Sequence, residues 1–447
     1  MTERGLFSRR GLLAGGAALL AGPAIGTALA QSVAEVDIAI IGGGAAGIAA
    51  GLRIAQAGRS HVLLEAGERL GGRARTDTAF GLPVDLGTAS FGRAGSGLAS
   101  AAGAAGLPVS GLPGDRLYVD GHPASESAYD GFSAALGRAR RDIVTAADAG
   151  RDVAVARVLP PPGPWSALAA ARLGPLALGK ELDALSTLDL ALRDVPPDDA
   201  TSPLGVGALI EALGAGLNRQ THATVNLITN SGRYHTLSIA GQRTTIRARA
   251  IVLAVPAPVI AAGAIRFNPV LPPRLLAAFR AFPAGTLEQV GFLLPGNPLE
   301  LEPDEGVLAS RDGTAPGARL RGRINGSDLH VLTFGGAPAR AIAEKGEAAA
   351  LELARAFLDR AFGGGVGEAV REVVASRWSA DPLFRGAMAS AMPGQGALRR
   401  LFGDPVQNRI FLAGEYTSLT DWGTLAGAFA SGEVAAAKAL RVVGGPA

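Results

Sequence analysis

Six residues, Gly42-Gly43-Gly44-Ala45-Ala46-Gly47, follow a short stretch from Val36 to Ile41 that reads as a buried strand, and they open a helical pattern that continues through Ala57. The order strand, GxGxxG, helix suits the binding of a dinucleotide pyrophosphate. Gly42 permits the tight turn, Gly44 lets backbone approach the phosphates, and Gly47 lets helix and strand pack closely. The start of the helix, with Ala46 in its first turn, turns free N–H groups toward the anion. A second strand, His61–Leu64, ends in Glu65. A carboxylate at that place accepts hydrogen bonds from ribose hydroxyls. The glycine turn alone is a weak signal, and both strands, the helix and the acidic residue together make it a strong one.

The residues that follow favour FAD over NAD. Arg69-Leu70-Gly71-Gly72-Arg73-Ala74-Arg75-Thr76 matches the RxGGRxxT signature of FAD-binding oxidoreductases, and Asp85-Leu86-Gly87 resembles the DxG element after it. Paired Gly71 and Gly72 allow backbone to lie against a flat flavin. Arg69 and Arg73 offer charge to the phosphates or the flavin edge. At the far end of the chain, Phe411-Leu412-Ala413-Gly414-Glu415 leads to Gly423-Thr424-Leu425-Ala426-Gly427-Ala428 and a helical pattern to about Val442. This closely resembles the carboxy-terminal motif of the flavin amine oxidase family. The resemblance implies that Glu415 binds the ribityl-phosphate part of FAD. It also implies that the helix entered at Thr424 and Leu425 points its positive end at the flavin.

Further stretches match the same family. Thr224–Ile228 is similar to the strand whose valine, here Val225, contacts adenine. Residues 248–256, 265–272 and 378–386 are similar to its later landmarks, so the resemblance runs from about 36 to 440. Only a helical, proline-interrupted pattern is visible between roughly 110 and 200. The family lysine that holds a water against flavin N5 has no counterpart. In its place stands Gln289, or Glu288 if the register slips by one, and the lysines are Lys180, Lys345 and Lys438. The two substrate-flanking rings of many relatives fall near Met388 and Thr424, neither aromatic; Trp422 and Phe91 are the candidates to substitute. Ala387 stands where some relatives carry the cysteine that bonds the flavin, which fits non-covalent FAD.

The elements that must position these residues imply an α/β fold: a Rossmann-like FAD-binding domain with a second α+β substrate domain, the amine oxidase-like two-domain arrangement. The FAD-binding domain is expected to be discontinuous, over 35–100, 203–265 and 405–441, with the substrate domain at 101–202 and 266–404. Pro-rich Leu159–Pro164 reads as a loop. Ala337–Phe362 reads as helix interrupted at Gly346.

A chain of 447 residues with 48% apolar and 18% charged residues is long enough for two folded domains. Its net charge of +3 comes mostly from the first ten residues, and no basic stripe points to nucleic acid. With no cysteine there are no disulfides or thiolate ligands, and the five histidines are not at metal-ligand spacing, so no metal site is read. Ser8-Arg9-Arg10-Gly11-Leu12-Leu13 resembles the twin-arginine export signal, followed by a Gly/Ala-rich stretch and a small-x-small site at Ala28-Leu29-Ala30. Residues 1–30 are therefore expected to be a signal peptide read by the twin-arginine machinery. That route carries folded proteins, which implies a periplasmic protein with its cofactor inserted.

The expected chemistry is oxidation of a small-molecule amine at the carbon bearing nitrogen, with oxygen or a periplasmic electron acceptor as final oxidant. Two other readings stay open: desaturation or isomerisation of C–C bonds, and a degenerate relative that only binds flavin. Arg93 and Arg385 are candidates for holding a substrate carboxylate.

Overall fold

The computed structural model describes residues 33–444 apart from 195, 197, 312, 313, 315 and 316. The expected export address at residues 1–30 lies outside the described residues. Among the described residues no helix is long and apolar enough to cross a membrane.

The strand Val33–Ile41 lies between two parallel neighbours, Thr245–Leu253 and His61–Leu64. Its side chains alternate between two faces. Ile38 and Ile40 enter one hydrophobic core, Ala39 and Ile41 another, and all four are buried. Burial on both faces explains why the strand's last four residues, Ile38–Ile41, are all apolar. Each large side chain so buried contributes about 1.5–3 kcal/mol.

Thr245–Leu253 is long enough to serve two partners on its other side. Its first half pairs antiparallel with Tyr234–Ile239, and Ile251–Leu253 pair in parallel with Ile410–Leu412. The carboxy-terminal strand thereby ends at the same edge as the amino-terminal glycine turn. The eight-stranded sheet also includes Arg266–Asn268, paired with Val225–Ser231. The sheet thus continues beyond residue 265, and the helix Pro273–Ala281 packs on its core through Leu275, Ala278 and Phe279.

The first helix, Ala45–Gln56, and the last, Leu425–Val443, cover one face of this sheet together. They meet through small residues. A Cβ on Gly432 would stand 2.0 Å from the Ala46 carbonyl oxygen, so only glycine permits this approach.

A second, seven-stranded sheet carries the remaining site residues. Leu287–Leu293 runs antiparallel to both Leu329–Gly335 and Val374–Ala375. Ala337–Lys345 and Glu347–Phe362 pack on it as two helices, broken at Gly346, whose φ of 73° suits glycine. The segment 126–191 supplies helices, including Glu126–Asp148, Ser166–Leu173 and Thr187–Ala191. The Leu159–Pro164 run forms no helix or strand.

Candidate active site

One cavity of about 690 Å³ runs from the glycine turn to the second sheet. Gly42, Gly44 and Ala46 line it. Gly42 has φ 102°, and a Cβ there would strike the Ala254 carbonyl at 2.5 Å. Gly44 differs: a Cβ would meet no atom closer than 3.8 Å, so glycine here keeps cavity space open rather than relieving a clash. Gly47 does not line the cavity; its Cβ would stand 1.9 Å from the Gly42 oxygen, so it serves the turn–helix packing. Glu65 lines the cavity while accepting from the Gly43 and Gly67 N–H groups at 2.7 Å each. These bonds fix the carboxylate at the strand end.

The second glycine pair, Gly71 and Gly72, lies against the first turn, and a Cβ on Gly72 would come within 3.1 Å of Gly44 Cα. Arg69 does not reach the cavity. Its guanidinium folds back onto the carbonyls of Leu70, Gly72 and Ala74 and onto Glu211. These bonds brace the loop that carries Gly71 and Gly72. Arg73 does line the cavity, and it donates to the Ala387 carbonyl and to Glu415. Glu415 also accepts from the N–H groups of Ala389 at 3.1 Å and Gly423 at 3.2 Å. Val225, Gly414, Thr424 and Leu425 complete this wall. Thr424 caps the last helix by accepting from Gly427 N–H at 2.9 Å.

Along Leu287–Leu293 the two candidates for the lysine position face opposite ways. Gln289 lines the cavity, with its Oε1 accepting from Thr333 Oγ1 at 2.7 Å. Glu288 faces the other way, fully buried, and accepts from Ser376 Oγ and from the N–H groups of Trp378 and Ser379. Burial raises its pKa. Lys180 does not replace the missing lysine. It is buried outside the cavity wall, donates to the Ser390 carbonyl at 2.9 Å, and burial lowers its pKa to about 8.

Phe91 and Trp422 are corrections to the expectation of substituting rings. Both are completely buried and neither lines the cavity. Phe91 acts through its backbone: its carbonyl accepts from Ala426 N–H at 2.9 Å, in the first turn of the last helix. Trp422 donates from Nε1 to the Asp189 carbonyl at 3.2 Å and stacks with the Arg399 guanidinium, 4.4 Å from the ring centre. The aromatic residues that do line the cavity are Trp378, Phe384 and Tyr416. Arg93 and Arg385 also fall elsewhere. Arg93 pairs with Asp421 at 2.8 Å and Asp194 at 3.4 Å, and Arg385 is exposed.

Sequence reading missed Arg140, Arg172 and Arg193, which line the cavity from the helical segment 126–193. That segment carries no recognisable motif, so only tertiary folding brings them together. Burial lowers the pKa of Arg193 to about 10, and the like charge of Arg172 acts in the same direction.

The residues present fit a flavin dinucleotide: a glycine cradle, a strand-end carboxylate and two helix starts line one continuous space. The family model for flavin containing amine oxidoreductases matches residues 45–203 and 200–440. This chain belongs to that family. As a flavin amine oxidoreductase it is 27% identical to polyamine oxidase 3 of Oryza sativa subsp. japonica, over 89% of this chain and 87% of the relative. Among solved structures, a putrescine oxidase with bound putrescine superposes with TM-score 0.74 at 18% identity, covering 91% of this chain and 99% of that one. Cyclohexylamine oxidase from Brevibacterium oxydans superposes with TM-score 0.70 at 22% identity, covering 91% and 99%. Those two likenesses establish the amine oxidase fold. A flavin amine oxidoreductase holds a flavin cofactor and oxidises amines.

Proposed function

We propose that the protein holds FAD non-covalently and oxidises a small-molecule amine at the carbon bearing nitrogen, in the periplasm after twin-arginine export. The single observation that carries the FAD reading is the continuity of the cavity, from Gly44 and Glu65 through Arg73 and Glu415 to Gln289. Gly42, Gly44 and Ala46 would receive the pyrophosphate, Glu65 the ribose, and Val225 the adenine. Non-covalent binding is supported by chemistry: the chain has no cysteine, and no histidine lines the cavity.

Bound flavin supplies the acceptor for the two electrons that leave the substrate C–H bond. The protein's own residues orient the substrate and exclude water. Gln289 lines the cavity and Thr333 engages its amide oxygen, so Nε2 is the group left to donate. It is placed to hold a water or the amine. The substrate must present an uncharged nitrogen, and the resulting imine takes up water to release a carbonyl compound and ammonia. Activity therefore rises with pH as the amine deprotonates. Dioxygen or a periplasmic electron carrier would reoxidise the protein. The cavity arginines weigh against an apolar polyene as substrate.

The test uses the purified mature protein. Acid precipitation should release all yellow colour as FAD, and anaerobic addition of an amine should bleach the bound flavin. Colour that stays with the precipitate would exclude non-covalent binding. A flavin that no amine bleaches would exclude the amine reading. Fractionation of the native host, with the protein found in the periplasmic fraction, tests the address.

A further inference from the structure

Six guanidiniums and five carboxylates line the cavity, and among the described residues Arg140 and Arg193 are the lining guanidiniums without an ion pair. Arg319 and Arg172 share one carboxylate: Arg319 Nη2 lies 2.6 Å from Asp115 Oδ1, and Arg172 Nε lies 4.0 Å from Asp115 Oδ2. Among the described residues no carboxylate lies within 4.0 Å of Arg140 or Arg193. Arg193 is anchored by its Nε, which donates to the Trp422 carbonyl at 3.1 Å. Its ring neighbour is Trp422, 5.2 Å from the guanidinium carbon. Its terminal nitrogens make no hydrogen bond among the described residues. The guanidinium is thus held in place with its fork free, the geometry that binds a carboxylate with two hydrogen bonds.

Position adds a second constraint. A Cβ on Gly423 would lie 3.7 Å from Arg193 Nε and 3.4 Å from Met388 Cγ, and Gly423 N–H donates to Glu415. Arg193 therefore stands beside Gly423 and Met388, next to the positions where relatives carry the substrate-flanking rings. Arg172 lines the same space, and Arg140 lines it from an exposed position where the cavity meets solvent. Like charges gathered beside a partly closed cavity repel one another, and an anion relieves that repulsion. A polyamine has no anion to fill the fork of Arg193.

We infer that the substrate is an amine that also carries a carboxylate, held by Arg193 with Arg172 and Arg140, so that the protein takes an amino acid in preference to a di- or polyamine. This rests on the amine-oxidising reading above and adds the substrate class to it. The carboxylate stays unreacted. The carbon bearing nitrogen gives up two electrons with loss of two protons overall, the flavin takes the electrons, and water converts the imine to a keto acid and ammonia.

The test compares matched pairs on the holoprotein: ornithine against putrescine, and leucine against 3-methylbutylamine, by anaerobic flavin reduction. The carboxylated member should reduce the flavin at least about 30-fold more efficiently, the scale of losing one desolvated charge pair. Arg193→Gln and Arg172→Gln should erase most of that preference through KM. Arg140→Gln, at an exposed and structurally tolerant position, should erase a smaller part and serves if the other two variants fail to fold. Decarboxylated amines reducing the flavin as well or better would overturn the inference and leave amine oxidation standing. If neither member reduces the flavin, the amine reading fails. Titration of the holoprotein with benzoate, followed by the flavin spectrum, then decides the inference. Binding that Arg193→Gln weakens would support a carboxylate site, and no binding, or binding that the variant leaves unchanged, would overturn it.

Discussion

Arg73 and Glu415 lie 342 positions apart in the chain, yet the guanidinium nitrogen Nη1 stands 3.3 Å from the carboxylate oxygen Oε1. This contact joins the amino-terminal and carboxy-terminal flavin motifs into one wall. Glu415 is nearly buried, and its other bonds come from the backbone N–H groups of Ala389 and Gly423. One carboxylate thus ties together four segments of the cavity.

Glu415→Gln keeps the shape but removes the charge and makes one amide hydrogen face a donor. The expected result is a protein less stable by about 1–3 kcal/mol that loses flavin on gel filtration. Thermal unfolding and the ratio of flavin to protein absorbance check this. Full flavin retention would place Glu415 outside the cofactor site.

Gln289→Ala removes the amide from the cavity without touching the flavin cradle. Flavin content should remain unchanged, and the anaerobic reduction rate by substrate should fall by about 10- to 100-fold through lost positioning. An unchanged rate would mean that Gln289 only braces Thr333.

Asp189 and Arg399 form a bidentate pair at 2.6 Å, with both side chains at most 2% exposed. Arg399 also donates to the Tyr416 carbonyl, and Asp189 accepts from Ala391 N–H. Asp189→Asn would leave a buried guanidinium uncompensated. A destabilisation of about 3–5 kcal/mol is expected, read by denaturant unfolding. A loss below about 1 kcal/mol would contradict the burial of this pair.

His235 is buried, and burial lowers its pKa to about 4 from the usual 6.5, with the Arg409 charge adding to the effect. Its Nδ1 has no hydrogen-bond partner among the described residues. The folded state therefore binds fewer protons than the unfolded state between those two values. Stability is intact above pH 6.5 and falls as pH drops toward about 4, by on the order of 3 kcal/mol for this group. Burial lowers the pKa of His330 in the same direction. The loss of Tm between pH 7 and 4.5 should be smaller in His235→Leu than in the parent protein. Equal losses would show that other groups set the acid limit.

Much of the architecture was legible because the dinucleotide turn is local. Strand, glycine turn, helix and the carboxylate at Glu65 fall within 30 residues, and their types follow from backbone sterics and anion binding. The break at Gly346 was readable for a similar reason, since a glycine between two helical patterns marks a stop. The carboxy-terminal motif was equally plain from residue types around Glu415 and Leu425.

Side-chain direction was not legible. Whether Gln289 or Glu288 faces the cavity depends on strand register, and a shift of one residue reverses every side chain. Phe91 and Trp422 have the right chemistry for a substrate-flanking ring, but packing places both in cores. Arg140 and Arg172 lie on two different helices and Arg193 just past the end of a third, in a stretch without a motif. The sequence by itself determined the family and the glycine-rich turn, because these are properties of local pattern and residue identity. Only the tertiary structure decided what faces the cavity, because a cavity wall is assembled from distant segments whose meeting is set by packing.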